Sequence, residues 1–345
     1  MKKKLTASLA AALIAALLLA GAALAVGLNL FDVFGKNDER LSQLADEAAL
    51  PTVDAQSVES EALGASEAAI ENAYYDGRSL IVAYRLKNDA RVEEFVPTQA
   101  ELAQAEALEG PVHIAVGREA DRAIVERFHQ AQEDGEPFGI VQYALHPSDH
   151  TLTDDGIDLP PSGERTLQGE DGALLSLREY EFPLPEAAQE RETLNISIRL
   201  IESASYLYFD GDTCYSLPGT RREAGEMTAC VCRTPGGTRR YAGEGEWAGT
   251  PLQIEAQFSR AYGRITLTVD GAPSALGADA RLDLEACDEA NAPMRCLGVD
   301  SQADGLTYHF NGTGVLPERI AVRVFFSKGE GEPTGSATFD LSPVE

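Results

Sequence analysis

Positive charge is scarce in this chain. Its 28 lysines and arginines stand against 56 acids among 345 residues, a formal net charge of −28. Such a surface repels nucleic acid and anionic headgroups, so no nucleic-acid partner is expected. Cysteine is sparse and late: Cys214, Cys230, Cys232, Cys287 and Cys296 are the whole set, and no Cys-x-x-Cys pair is among them, which argues against structural zinc. No Gly-x-Ser-x-Gly elbow marks a serine nucleophile, and no glycine-rich phosphate loop follows a strand. The residues single out no catalytic, cofactor-binding or metal-ligating set, and no cofactor is expected.

A second absence is local. Between Lys4 and Asp32 no residue carries a charge. A membrane-crossing helix needs about 20 apolar residues, and the run from Leu5 to Leu30 is long enough. Lys2, Lys3 and Lys4 at one flank, with the acidic remainder at the other, place the N-terminus in the cytoplasm and the rest outside. Ala23-Leu24-Ala25 also fits a signal-peptidase site, so the same run reads as a secretory signal. Its length favours the retained anchor, since signal cores run to about 7–15 residues. Either reading exports everything that follows.

What is present downstream is mostly alternation. Asn37-Asp38-Glu39-Arg40 caps a short helix whose Leu41, Leu44, Ala45 and Ala48 share one face. Residues 51–65 are small, polar and acidic, and read as a linker. Asp76-Gly77 signals a tight turn between Tyr74-Tyr75 and a strand in which Leu80, Val82, Tyr84 and Leu86 point one way. Thr98-x-x-Glu101 is a capping box, with Gly110 ending its helix. Ala120, Ile124, Phe128 and Ala131 fall at helical spacing, with Gly135 as the stop.

Strands resume at Gly139–Leu145 and Leu174–Phe182, and Leu194–Leu200 alternates without error. Beyond Ser205 nearly everything reads as strand: Leu252 to Phe258, Ile265 to Val269, Leu282 to Ala286, Ile320 to Phe326 and Ala337 to Leu341. Asp270-Gly271 and Asn311-Gly312 read as hairpin turns between them. Tyr208-Phe209-Asp210-Gly211 echoes Tyr74-Tyr75-Asp76-Gly77 as a shared turn type. Short alternating strands with turns at this spacing indicate a β-sandwich.

The apolar run into Gly27-Leu28-Asn29-Leu30-Phe31, then Asp38-Glu39-Arg40-Leu41 and Ala73-Tyr74-Tyr75-Asp76-Gly77-Arg78-Ser79-Leu80, resembles the domain-of-unknown-function 4179 family. That resemblance covers the anchor and roughly the first exported domain. It implies a single-pass bacterial envelope protein associated with sigma-factor signalling, with an Ig-like C-terminal half. Family members of the anti-sigma type carry a cytoplasmic sigma-binding segment before the anchor. Here only Met1 to Lys4 precede the run, so a sigma factor is a partner only where the true start lies upstream.

Several clusters invite chemistry. His146-Pro147-Ser148-Asp149-His150 gathers two imidazoles and a carboxylate, but a metal needs three or four converging ligands and Pro147 argues for a turn. Asp154-Asp155-Gly156 and Asp210-Gly211-Asp212 offer oxygens without EF-hand spacing, and read as turns. Cys214, Cys230, Cys232 and His309 lack the local signatures of thiol enzymes. Asn195 and Asn311 head incidental glycan-acceptor triplets. Trp247 is either an exposed ligand anchor or a half-buried edge residue. Cys230 and Cys232 share one face of a strand with Val231 on the other, so they do not bond each other; pairing with Cys214, a Cys287–Cys296 bridge and free thiols all remain open.

The expected protein is mainly β. Residues 1–31 form the N-terminal transmembrane helix and 32–65 a juxtamembrane helix and linker. Residues 66–203 form an α+β domain with inserted helices, and 204–345 an Ig-like β-sandwich. The expected function is non-catalytic sensing or binding of an envelope protein or cell-wall ligand at the outer face of the cell membrane. The rival is a hydrolase acting on polysaccharide or peptide.

Overall fold

The computed structural model describes residues 29–45, 56–60, 64–87, 92–101, 138–169, 172–210, 213–235, 237–247, 249–269, 280–301, 305–328 and 335–344, with isolated helical positions between 103 and 134. Almost all of the uncharged run therefore lies outside the described residues, and among those described no helix is long and apolar enough to cross a membrane. The protein is mainly β, and its described residues are built of antiparallel sheets with few and short helices.

The described part opens with α1 (Leu30–Gly35) and α2 (Glu39–Ala45). Strands β1 (Gln56–Ser60), β2 (Gly64–Tyr75), β3 (Leu80–Lys87), β4 (Val92–Phe95), β5 (Phe138–Thr153), β6 (Asp158–Leu159), β7 (Pro161–Gln168) and β8 (Leu174–Tyr180) follow. A single helical turn, α3 (Glu186–Gln189), precedes the long hairpin of β9 (Thr193–Asp210) and β10 (Thr213–Cys232). Then come β11 (Arg239–Trp247), β12 (Thr250–Phe258), β13 (Tyr262–Val269), β14 (Ala280–Cys287), β15 (Cys296–Ser301), β16 (Gly305–Asn311), β17 (Ile320–Lys328) and β18 (Gly335–Val344).

Two sheets make the first unit, in the orders β1-β2-β3-β8-β7 and β10-β9-β5-β4. Leu80, Val82, Tyr84 and Leu86 do share a face, and they join Leu194, Ile196, Ile198 and Leu200 of β9 and Met227, Ala229 and Val231 of β10 in one core. Strand alternation alone produces both faces, because successive side chains leave opposite sides of the backbone. The other face of β3 is buried too. Ile81 and Ala83 pack with Tyr74, Leu175 and Leu177 under Leu30, Phe31, Phe34, Leu41 and Leu44 of α1 and α2. The uninterrupted apolar run Leu80-Ile81-Val82-Ala83-Tyr84 is the sequence mark of a strand covered on both sides.

The second unit is one eight-stranded path, β14-β17-β18-β11-β12-β13-β16-β15. Strands β18 and β11 pair at only three positions, Arg240–Val344, Tyr241–Pro343 and Ala242–Ser342. The path turns there, and its two halves close on a common core that includes Ile254, Phe258, Ile265 and Leu267 from one half and Val322, Val324, Phe326 and Leu341 from the other.

Three expectations change. The boundary placed between residues 203 and 204 falls inside β9, which together with β10 belongs to the first unit; the chain crosses over only between Cys232 and Arg239. The polar, Pro- and Gly-containing stretch of β10 hides its strand character, which comes from pairing along β9 from Thr193 to Asp210. Residues 51–65 include β1 and the start of β2, an edge pair rather than a linker. Asn311-Gly312 closes no hairpin: β16 pairs with β13 and β15, and Gly312 N donates instead to the carbonyl of Ala261 at 2.8 Å.

Other expectations are met where residues are described. The Thr98–Glu101 capping box forms, with Glu101 Oε2 accepting from Thr98 N at 2.7 Å and Glu101 N donating to Thr98 Oγ1 at 3.3 Å. The helix expected through Ala120, Ile124, Phe128 and Ala131 lies largely outside the described residues, as do Gly110, Gly135 and Asp270-Gly271.

Candidate functional site

The turn predicted at Asp76-Gly77 joins β2 to β3 and abuts the second unit. Asp76 Oδ1 accepts from the backbone N–H of Arg78 at 2.9 Å and of Ser79 at 2.7 Å, and Tyr74 Oη donates to Oδ2 at 3.1 Å. Burial pushes the Asp76 carboxyl up, against the pull of these donors. Ser79 Oγ and Ser259 Oγ meet at 2.6 Å across the two units. Ser259 Oγ in turn accepts from the N–H groups of Ala261 and Tyr262, each at 3.1 Å, which shapes the turn between β12 and β13.

Beside that turn sits a buried ionic cluster. Arg40 is 4% exposed. Its Nη1 donates to the carbonyl of Ala261 at 3.0 Å, and its Nη2 to Glu179 Oε1 at 2.9 Å and Asp38 Oδ2 at 3.2 Å. The guanidinium lies 4.9 Å from the ring centroid of Tyr262. Arg165 on β7 bridges the same two carboxylates, reaching Asp38 at 3.1 Å and also Glu179. Tyr262 Oη donates to the second oxygen of Glu179. Helix α2, strands β7 and β8, and the start of β13 thus converge on one carboxylate.

The electrostatics follow from the geometry. Burial alone would raise Glu179, but Arg40, the Tyr262 hydroxyl and Arg165 outweigh it, and the carboxyl lies below the usual range. Asp38 is lowered in the same way, with burial opposed by Arg40 and Arg165. Burial holds the Tyr262 phenol well above its ordinary value, with Glu179 adding to the effect and Arg40 opposing it.

A third cluster lies between the two sheets of the first unit. Arg178, 1% exposed, donates to Glu164 Oε2 at 3.1 Å and to the carbonyl of Ser148 at 2.9 Å. Ser176 Oγ donates to Glu164 Oε1 at 2.5 Å, and Tyr84 Oη reaches the same oxygen. Burial would raise Glu164, but Ser176, Tyr84 and Arg178 bring it below its ordinary value.

The two units leave a cleft of about 980 Å3 alongside these clusters, walled by Arg165, Glu179, Phe182, Tyr262, Arg264 and His309 among others.

The sequence motifs end up elsewhere. His146 to His150 form a bulge in β5, where the pairing with β9 shifts between Pro147 and Thr151. Ser148 in that bulge is held by Arg178, while His150 Nδ1 meets Asp158 Oδ2 at 2.9 Å and His146 Nδ1 lies 3.4 Å from Ser203 Oγ. The two imidazoles do not converge, and no group of three or more metal-ligating side chains occurs among the described residues. Asp154-Asp155-Gly156 is a turn with Gly156 at φ +82°, and Arg191 binds both of its aspartates. Gly211 and Asp212 lie outside the described residues. Cys230, Cys232, Cys287 and Cys296 are free thiols. Val231 faces the core while Cys230 and Cys232 lie on the opposite side of β10, as the alternation requires. Trp247 is half-buried and stacks on Phe326, with centroids 4.0 Å apart and planes 3° from parallel.

Sequence reasoning missed Arg40, Glu179 and Tyr262 as a set. One signal was readable: Arg40 and Leu44 are four apart on a helix, so Arg40 lies on the apolar side of α2.

No family model and no curated protein matches the chain. Among solved structures, the conserved domain protein from Bacillus anthracis matches with a TM-score of 0.37 at 10% identity, over 85% of this chain and 90% of that one. A likeness this distant carries no argument about fold or function.

Proposed function

We propose that this chain is a non-catalytic, membrane-anchored protein of the cell exterior, a binding or sensing module of the domain-of-unknown-function 4179 type with an Ig-like second unit. The observation that carries this reading is the placement of residues 29–45. The segment that directly follows the uncharged run is not a free tether. It is buried through Leu30, Phe31, Leu41 and Leu44 against the first unit, and through Arg40 against the second. A force or reorientation at the anchor, or at a ligand outside, is thereby passed to the joint between the units. That joint is the natural readout for a sensor linked to sigma-factor signalling.

The hydrolase reading has less support. A general acid needs a carboxyl raised toward neutrality. Asp38, Glu164 and Glu179, three of the five carboxylates that line the cleft, are all shifted the other way.

Fractionation of expressing cells, followed by protease added from outside, tests the proposal. The chain is expected in the membrane fraction with a C-terminal tag removed by external protease. Recovery of the intact chain from the cytosol would overturn it.

A further inference from the structure

Four of the chain's arginines meet at the joint between the units. Cross-strand register sets Arg240 of β11 opposite Gln257 of β12, Gln257 opposite Arg264 of β13, and Arg264 opposite His309 of β16. Paired residues on neighbouring strands share a face, with strands about 4.8 Å apart. From the first unit, Arg78 reaches into this row. With the Gln257 amide oriented by the pairing, its oxygen accepts from Arg78 Nη1 at 3.0 Å and Nε at 3.3 Å. Arg78 therefore sits over the position between Arg240 and Arg264. Arg233 lies against the same turn: a Cβ placed on Gly77 would stand 2.5 Å from its guanidinium carbon, and its Nε donates to the carbonyl of Asp76 at 3.3 Å.

Almost nothing neutralises the group. Among the described residues no carboxylate forms an ion pair with Arg78, Arg240 or Arg264, and Arg233 has only Glu192, at 3.9 Å. The Arg78 guanidinium is lowered from its ordinary value, first by burial and then by the charges of Arg240, Arg264 and Arg233, with Asp76 opposing. The nearby carboxylates are otherwise engaged: Asp76 accepts from the N–H groups of Arg78 and Ser79 and from Tyr74, and Asp300 holds His309 at 2.8 Å, so three guanidinium groups with no ion-pair partner among the described residues leave room for an anion from outside. The planar guanidinium fork suits phosphate-type oxygens in pairs.

We propose that Arg78, Arg240 and Arg264, backed by Arg233, form a binding site for a multiply charged phosphate-type oxyanion, either a small free anion or a group on an anionic polymer. The site uses only residues at the joint and does not rest on the membrane-anchored reading.

Calorimetric titration of the purified full-length chain with inorganic pyrophosphate and with polyphosphate tests it. Saturable binding is expected, weakening as salt is added. Arg240→Gln and Arg264→Gln are each expected to weaken it by about tenfold, while Arg221→Gln, on an exposed stretch of β10, leaves it unchanged. Equal affinity per site for both probes points to a small anion, and tighter binding of polyphosphate points to a polymer. Should Arg264→Gln fail to fold, the exposed Arg240→Gln decides alone. Absence of saturable binding by either probe, or affinity unchanged in the folded variants, would overturn the proposal.

Discussion

Arg40 and Glu179 stand 139 residues apart in the chain and 2.9 Å apart in the fold. The same guanidinium donates to the carbonyl of Ala261, so one buried side chain links the helix after the uncharged run to both β units. A buried ion pair that loses one member and leaves the other unpaired costs about 3–5 kcal/mol. Arg165 still holds Asp38 and Glu179 when Arg40 is removed, so Arg40→Ala is expected to destabilise the protein by less, about 1–3 kcal/mol in denaturant unfolding. Arg40→Lys recovers only part of the loss, because an ammonium cannot hold Asp38, Glu179 and the Ala261 carbonyl with one planar fork. A loss under about 0.5 kcal/mol for Arg40→Ala would refute the joint as described.

The cluster also sets an acid limit. The Glu179 and Asp38 carboxyls are depressed in the folded chain, so their contribution is fully present above the ordinary carboxylate range. It disappears as pH falls through their folded values, which begins below about pH 4. Thermal melts from pH 7 to pH 3 are expected to drop most steeply at the acid end. Glu179→Gln should lower stability at pH 7 and flatten that drop; a parallel curve would show that Glu179 takes no part in it.

Phe31 of α1 is fully buried, in one cluster with the outer face of the first sheet and with Ala261 and Tyr262. Phe31→Ala is expected to cost about 3–5 kcal/mol. Amide exchange localises the effect: protection should fall over residues 30–45 and 259–262, with β16 and β17 unaffected. Uniform loss across the chain would mean that these helices are not a separate seam.

Gly77 combines φ +91° with the Arg233 guanidinium pressed against it. Gly77→Ala is expected to destabilise by about 1–3 kcal/mol through backbone strain and displacement of Arg233. Arg233→Ala in the same background should recover the steric part, leaving the strain.

The cysteines supply a test of register. Alkylation without reduction, read by mass spectrometry, should find Cys230, Cys232, Cys287 and Cys296 all labelled. The exposed Cys232 and Cys296 should label faster than the half-buried Cys230 and Cys287. A peptide with an intact Cys230–Cys232 bond would show that the end of β10 is not a strand.

Much of the local structure was legible. The turn at Asp76-Gly77, the single-faced pattern of Leu80 to Leu86, the alternation of Leu194 to Leu200 and the Thr98–Glu101 cap all depend on neighbours within a few residues. The end of β10 at Cys230-Val231-Cys232 was legible as strand, but the continuity of its long polar stretch with β9 was not, since that stretch is ordered by hydrogen bonds to β9 rather than by its own propensity. The break near Ser205 was misplaced for the same reason: a change in composition fell in the middle of a long hairpin whose continuity only pairing reveals.

The sequence by itself determined the acidic surface, the uncharged N-terminal run, the β character of the chain and which side of each clear strand is apolar. These follow from charge count and from the two-residue period of an extended backbone. Only the tertiary structure decided what covers the outer face of β3, which carboxylate receives Arg40, and that Arg78 joins Arg240 and Arg264. Those relations depend on the path the chain takes between distant segments, and no local period encodes a path.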